Sequence, residues 1–137
     1  MSTPVGSSPY PSTAPDAGVI AELAERALAE IPATLLLHIA GVGIQIADFA
    51  DDETLDAMGI ESAWDLTGLY TGTPIGSRSV GDITRPPDLI FLYRLPILME
   101  WIETGEDLGR LVRNVVIHEI AHHLGFSEDE IEALERE

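Results

Sequence analysis

Apolar positions along the chain fall into short periodic blocks punctuated by Gly and Pro. Val19, Leu23, Ala27 and Leu28 recur at helical spacing, and Asp16 stands where a cap for that helix belongs. Pro32 breaks the pattern and suits the first turn of a second short helix, PATLLLHIA, which Gly41 is expected to end. VGIQIAD then alternates, with Val42, Ile44 and Ile46 on one face, which predicts a strand. DDETLDAMG reads as another short helix, capped by Asp51 or Asp52 and closed by Gly59. A strand is placed at about 66–71, followed by a Gly- and Pro-punctuated loop through Pro87.

DLIFLYR is apolar, aromatic and of strand length, which predicts a central strand. PILMEWIETG predicts a short helix that Gly105 ends. Thr104 is then expected to cap a long helix from about 106, with Asp107 three residues on from the cap. That helix turns Leu108, Leu111, Val112, Val115 and Ile120 toward a core and runs through the histidines to Gly125. The order α-α-β-α-β-β-α-α-α, with no internal repeat, predicts a small α+β domain.

The first 16 or so residues lack this periodicity. MSTPVGSSPYPSTAPDAG is rich in Pro, Ser, Thr and Gly, so residues 1–16 are expected to form a disordered tail and 17–137 the folded domain. A hydrophobic content of 45% over 137 residues suits one folded core. No apolar run approaches the roughly 20 residues of a membrane span, and no signal-peptide pattern opens the chain. A cytoplasmic protein without a membrane partner is the expectation. The formal net charge of −17 repels phosphate backbones, so no nucleic-acid partner is expected. Cysteine is absent, so any metal must be held by histidine and carboxylate.

Those residue types converge in VVIHEIAHHLGFSEDE, residues 115–130. His118 and His122 are four apart, which on a helix stacks them one turn apart where both imidazoles can grip one ion. Glu119 rotates to the flank, where its carboxylate can accept a proton from a metal-bound water. Zinc lowers the pKa of such water toward about 7, so the base need not be unusually strong. A chain of this length and composition yields about 0.01 such motifs by chance, which makes HExxH a signal rather than noise.

A catalytic zinc site needs a third protein ligand. Gly125, three residues beyond His122, can turn left-handed and throw the chain back across the metal face. Ser127 can cap a last helix, with Glu130 closing a capping box and Glu128 at its first position. The carboxylate candidates are Glu128, Asp129, Glu130 and Glu132; Glu128 is preferred, with Asp129 second. The competing reading of all four is an acidic helix start that complements the macrodipole.

HEIAHHLGFSEDEI, with LTGLYTGTPIGSRSV and DLIFLYR upstream, resembles the minimal zincin-like metallopeptidase family of small bacterial proteins, over roughly residue 31 to the C-terminus. The resemblance implies a short mixed sheet packed on helices, a long active-site helix and a Zn2+ ion. It further implies hydrolysis of peptide or protein substrates through a metal-bound water, with Glu119 as general base. The family is similar to zincins with HExxHxxGxxD; Glu128 stands here at the acidic position. The methionine turn of metzincins has no counterpart, since Met1, Met58 and Met99 all precede the motif.

Elsewhere, His123 points about 100° from His122 and reads as packed rather than ligating. His38 reads as a core histidine. Tyr93 and Arg94 fit two roles: oxyanion stabilisation and orientation of the motif helix, or core packing and an ion pair. Trp64 and Trp101 read as packing residues. The strand at 66–71 is taken, by analogy with zincins, as the edge that meets substrate. The alternative to a peptidase is a non-catalytic or vestigial metal-binding domain acting through a protein partner, and a homodimer stays open. A metal-dependent ribonuclease family uses H-x3-H-x5-H, but Glu119, the acidic residue 128 and the net charge oppose it.

Overall fold

The Asp16 carboxylate accepts the Val19 amide at 3.0 Å and caps α1, Ala17–Ala29. The computed structural model describes residues 13–37, 39, 41–72 and 88–136. The expected tail and the expected loop before Pro87 therefore lie largely outside the described residues, as does His38. Ile20, Ala24 and Ala27 form the buried stripe of α1, spaced as the helical period requires. A short helix α2, Ala33–Leu36, follows Pro32 and ends well before Gly41. Gly41 itself is left-handed, with φ of 66°.

Three strands make one mixed sheet. Strand β1, Gly43–Ala47, pairs in parallel with β3, Leu89–Tyr93, and β2, Gly68–Thr71, pairs with the other side of β3 in antiparallel fashion. The order β1-β3-β2 makes β3 central, as its continuous apolar run predicts, and Ile90 and Leu92 are fully buried. Between β1 and β2 lies α3, Asp52–Met58, capped by Asp51 and closed by left-handed Gly59. A single 3-10 turn, Ala63–Asp65, leads into β2.

Helix α4, Arg94–Thr104, leaves β3 without a linker and stops at Gly105, where φ is 68°. The long helix α5, Leu108–His123, is capped by Asp107, which accepts the Arg110 amide at 3.0 Å. The expected cap, Thr104, is instead the last residue of α4. Gly105 turns the chain so that Asp107, not Thr104, meets the first free amides of α5.

One face of α5 carries Leu111, Val112, Val115, Val116, Ile117, Ile120 and Ala121, all buried. Burying each such isoleucine is worth about 1.5–3 kcal/mol, so this face anchors the helix firmly against α1 and β2. The approach to β2 is close. A Cβ on Gly68 would lie 2.8 Å from Val115 Cγ1, so glycine is what lets helix and edge strand touch. Helix α6, Glu128–Glu135, closes the chain and docks Ile131 into the same core. Trp101 packs partly buried on that core, while Trp64 is half-exposed and meets Phe49 edge to face at 4.8 Å.

The result is the small α+β domain that the pattern predicts, and it places α5 beside a sheet edge. No helix among the described residues is long and apolar enough to cross a membrane.

Candidate metal centre

The buried stripe of α5 leaves His118 and His122 on its more accessible side and turns Glu119 toward β2. The two imidazoles stand one turn apart, centroids 5.9 Å apart and planes tilted by 43°. Two imidazoles bound to one tetrahedral zinc, with Zn–N near 2.0–2.1 Å, have centroids roughly 5 Å apart. The centroid separation of the pair is within about an ångström of that spacing. Nitrogen and carboxylate donors are what the cysteine-free chain offers, and both suit zinc.

Glu119 is turned away from water onto the sheet. Its Oε1 accepts the backbone N–H of Tyr70, 3.3 Å away on β2. The register explains why that N–H is available. Tyr93 donates to the Thr67 carbonyl, so hydrogen-bonded pairs alternate along the ladder and Tyr70, opposite Ile90, points its N–H away from β3. Burial pushes the Glu119 carboxyl above its ordinary pKa; His118, the Tyr70 N–H and His122 pull it partly back. A carboxylate so placed is a better proton acceptor than an exposed one.

Beyond His122 the chain turns as a glycine-dependent helix stop. Gly125 has φ of 86°, its N–H donates to the His122 carbonyl, and the Phe126 N–H reaches back to Ala121. Ser127 and Glu130 then form a reciprocal capping box: the Glu130 amide donates to Ser127 Oγ and the Ser127 amide to Glu130 Oε1. Those bonds hold Glu130 below its usual pKa, and it is engaged in the cap. Glu128 is the first residue of α6 and is exposed, as is Asp129. The structure thus brings His118, Glu119 and His122 together. Among the described residues it groups no three metal-ligating side chains.

The other candidates resolve into packing. His123 stacks on Tyr70 at 4.0 Å, and the Tyr70 hydroxyl donates to buried Asp88 at 2.6 Å. Arg94 turns away from the motif: its Nε donates to the Pro15 carbonyl at 2.8 Å, and Nη1 lies 3.4 Å from Asp48. Tyr93 is core, packed with Ala50, Leu55 and Leu66. Its hydroxyl is raised in pKa by burial first, then by the negative charges of Asp51 and Glu119.

Two contacts have no counterpart in the sequence reading. The first is the Tyr70 N–H on Glu119. The second is Glu135, whose Oε1 lies 3.4 Å from His118 Nδ1. Its only trace in the sequence is spacing: Glu128 and Glu135 are seven apart and share a stripe of α6. A cleft of about 410 Å3 opens beside His118 and Glu119, and Asp65, Glu100, Glu106 and Glu135 join its lining. Glu100 there is raised in pKa by burial and by the neighbouring charges of Glu106, Glu103 and Glu135.

Compared with known families, residues 39–137 match the family model described as zincin-like metallopeptidase. No curated protein matches the chain.

Proposed function

The chain belongs to the zincin-like metallopeptidase family, and on that premise we propose that it is a zinc-dependent peptidase in which Glu119 is the general base. His118, His122 and Glu128 would hold the ion. When bound, zinc supplies a Lewis acid that polarises a carbonyl and brings the pKa of its water toward about 7.

The observation that carries this reading is the setting of Glu119. It sits between two imidazoles one turn apart, half-buried, with its carboxyl raised in pKa and its Oε1 on the outward N–H of an edge strand. A solvated surface glutamate has none of these features. In the proposed reaction Glu119 takes the proton of the attacking water and returns it to the leaving amine. The same edge of β2 carries backbone groups with which an extended peptide can pair. Glu128 is supported as third ligand by α6 itself: it shares a stripe with Glu135, and Glu135 contacts His118.

Stoichiometric zinc that survives Glu119→Ala, with chelator-sensitive peptide cleavage lost by roughly 100- to 10,000-fold, is the expected pattern. Cleavage unaffected by that change would sink the assignment.

A non-catalytic metal-binding role draws on one observation: Glu128 is exposed, and no three metal-ligating side chains are grouped among the described residues. It predicts weak zinc binding and no cleavage of a peptide library by zinc-loaded protein.

A further inference from the structure

The geometry points to Glu135 as a positioning residue for His118: its carboxylate accepts from Nδ1–H, keeps the proton on that nitrogen and leaves the Nε2 lone pair for the ion. The inference rests on the reading of His118 as a ligand and adds a residue that lies outside the HExxH motif and its glycine turn.

A neutral imidazole carries one N–H, and the group beside each nitrogen selects which one keeps it. Here Glu135 Oε1 stands 3.4 Å from His118 Nδ1. An ionised carboxylate is acceptor only, so it favours the proton on Nδ1. The opposite nitrogen is then the one with a free lone pair. Metal-bound histidines are held in tautomer and ring angle by such partners, whose loss costs roughly 10- to 100-fold in metal affinity.

Glu135 differs from the acids around it in how it is held. Its side chain is 27% exposed, against 67% for Glu132, which makes an ordinary surface pair with Arg136. The backbone at that point is also pinned. Arg113, on α5 five residues before His118, donates from Nη1 to the Glu135 carbonyl at 3.3 Å. One turn back along α6, Ile131 is buried in the core, and Leu134 packs on its margin. The C-terminal turn of α6 is thereby fastened to α5 at the level of His118, and the carboxylate has a defined place from which to meet Nδ1. Helix α6 would then act at both ends, with Glu128 toward the ion and Glu135 behind a ligand of that ion.

The test is long-range 1H–15N NMR of the histidine imidazoles in the metal-free full chain at pH 8, for wild type, Glu135→Gln and Glu135→Ala. Zinc affinity is measured in parallel by competition with a chromophoric chelator. His118 is expected as the Nδ1–H tautomer in wild type and in Glu135→Gln, which keeps an acceptor oxygen. It is expected to move toward Nε2–H in Glu135→Ala, with zinc affinity reduced roughly 10- to 100-fold.

An Nε2–H tautomer in wild type overturns the inference, and this arm requires no variant to fold. A tautomer unchanged in Glu135→Ala overturns it equally. Wild-type protein that shows the Nδ1–H tautomer but binds no zinc overturns the proposed peptidase while leaving the Glu135–His118 contact standing.

Discussion

The turn of α5 from His118 to His122 and the first turn of α6 present similar donors on very different foundations. Behind the first stand Ile117, Ile120 and Ala121, at most 1% exposed, and its carboxylate rests on the Tyr70 N–H. In the second, Glu128, Asp129 and Glu130 are all exposed, and the foundation is a glycine turn, a capping box and one buried residue, Ile131. A carboxylate raised in pKa by burial suits taking a proton, whereas an exposed one offers charge to a cation at little desolvation cost. The two glutamates of HExxHxxGxxE therefore sit in environments that push them toward different tasks. The α5 half is pre-positioned by the core, and the α6 half is delivered by a turn.

The comparison breaks first at the metal. If the α5 pair is the rigid half, His122→Ala should reduce zinc affinity well beyond the roughly 100-fold typical of losing a merely supporting group. Glu128→Ala should have a smaller effect, because an exposed side chain must be ordered before it can bind and so contributes less net free energy. Competition titration of both variants decides this. Equal losses would show the α6 turn to be as pre-positioned as α5. A loss in Asp129→Ala with none in Glu128→Ala would move the third ligand by one residue.

What could be read from the sequence was local. His118 and His122 at four-residue spacing, Gly125 as a left-handed stop, and the Ser127–Glu130 box all lie within a turn or two, and the helical period determines their geometry. The central place of DLIFLYR was legible because only a strand covered on both sides is apolar throughout. The contacts that qualify the chemistry are long-range. Tyr70 meets Glu119 across 49 residues, and this requires knowing that β2 is an edge and in which register it pairs. Glu135 meets His118 only because α6 folds back along α5, an angle no spacing encodes. Even the cap of α5, expected at Thr104, is Asp107, because Thr104 still belongs to α4 and the chain turns at Gly105.

A smaller effect isolates the turn itself. Gly125 has φ of 86° and nothing within 4 Å of where a Cβ would stand, so Gly125→Ala should cost only the left-handed penalty, about 1–2 kcal/mol. Gly59, with φ of 67° and the same open surroundings at the end of α3, is the matched control. Denaturant unfolding should show similar losses for the two alanine variants. Zinc affinity should fall for Gly125→Ala alone, since only that turn aims α6. Equal zinc affinity in both would detach the α6 half from the metal.

The smallest effect probes the foundation of the α5 half. Burial raises the folded-state pKa of Glu119 above its ordinary value near 4.5. The native state then holds that proton more tightly than the unfolded chain does. The stability this group contributes is present at low pH and is lost as pH rises from about 4.5 through the raised folded value, after which the cost is constant. Glu119→Gln keeps an oxygen for the Tyr70 N–H but never ionises. Metal-free Glu119→Gln should therefore match wild type near pH 4 and become the more stable protein as pH rises, the gap levelling off above the raised pKa. Denaturant midpoints of both proteins between pH 4 and 8, in the presence of chelator, measure that gap. A difference that stays flat across the range would mean the carboxylate is as well solvated as Glu128, and the contrast between the two halves of the motif would vanish.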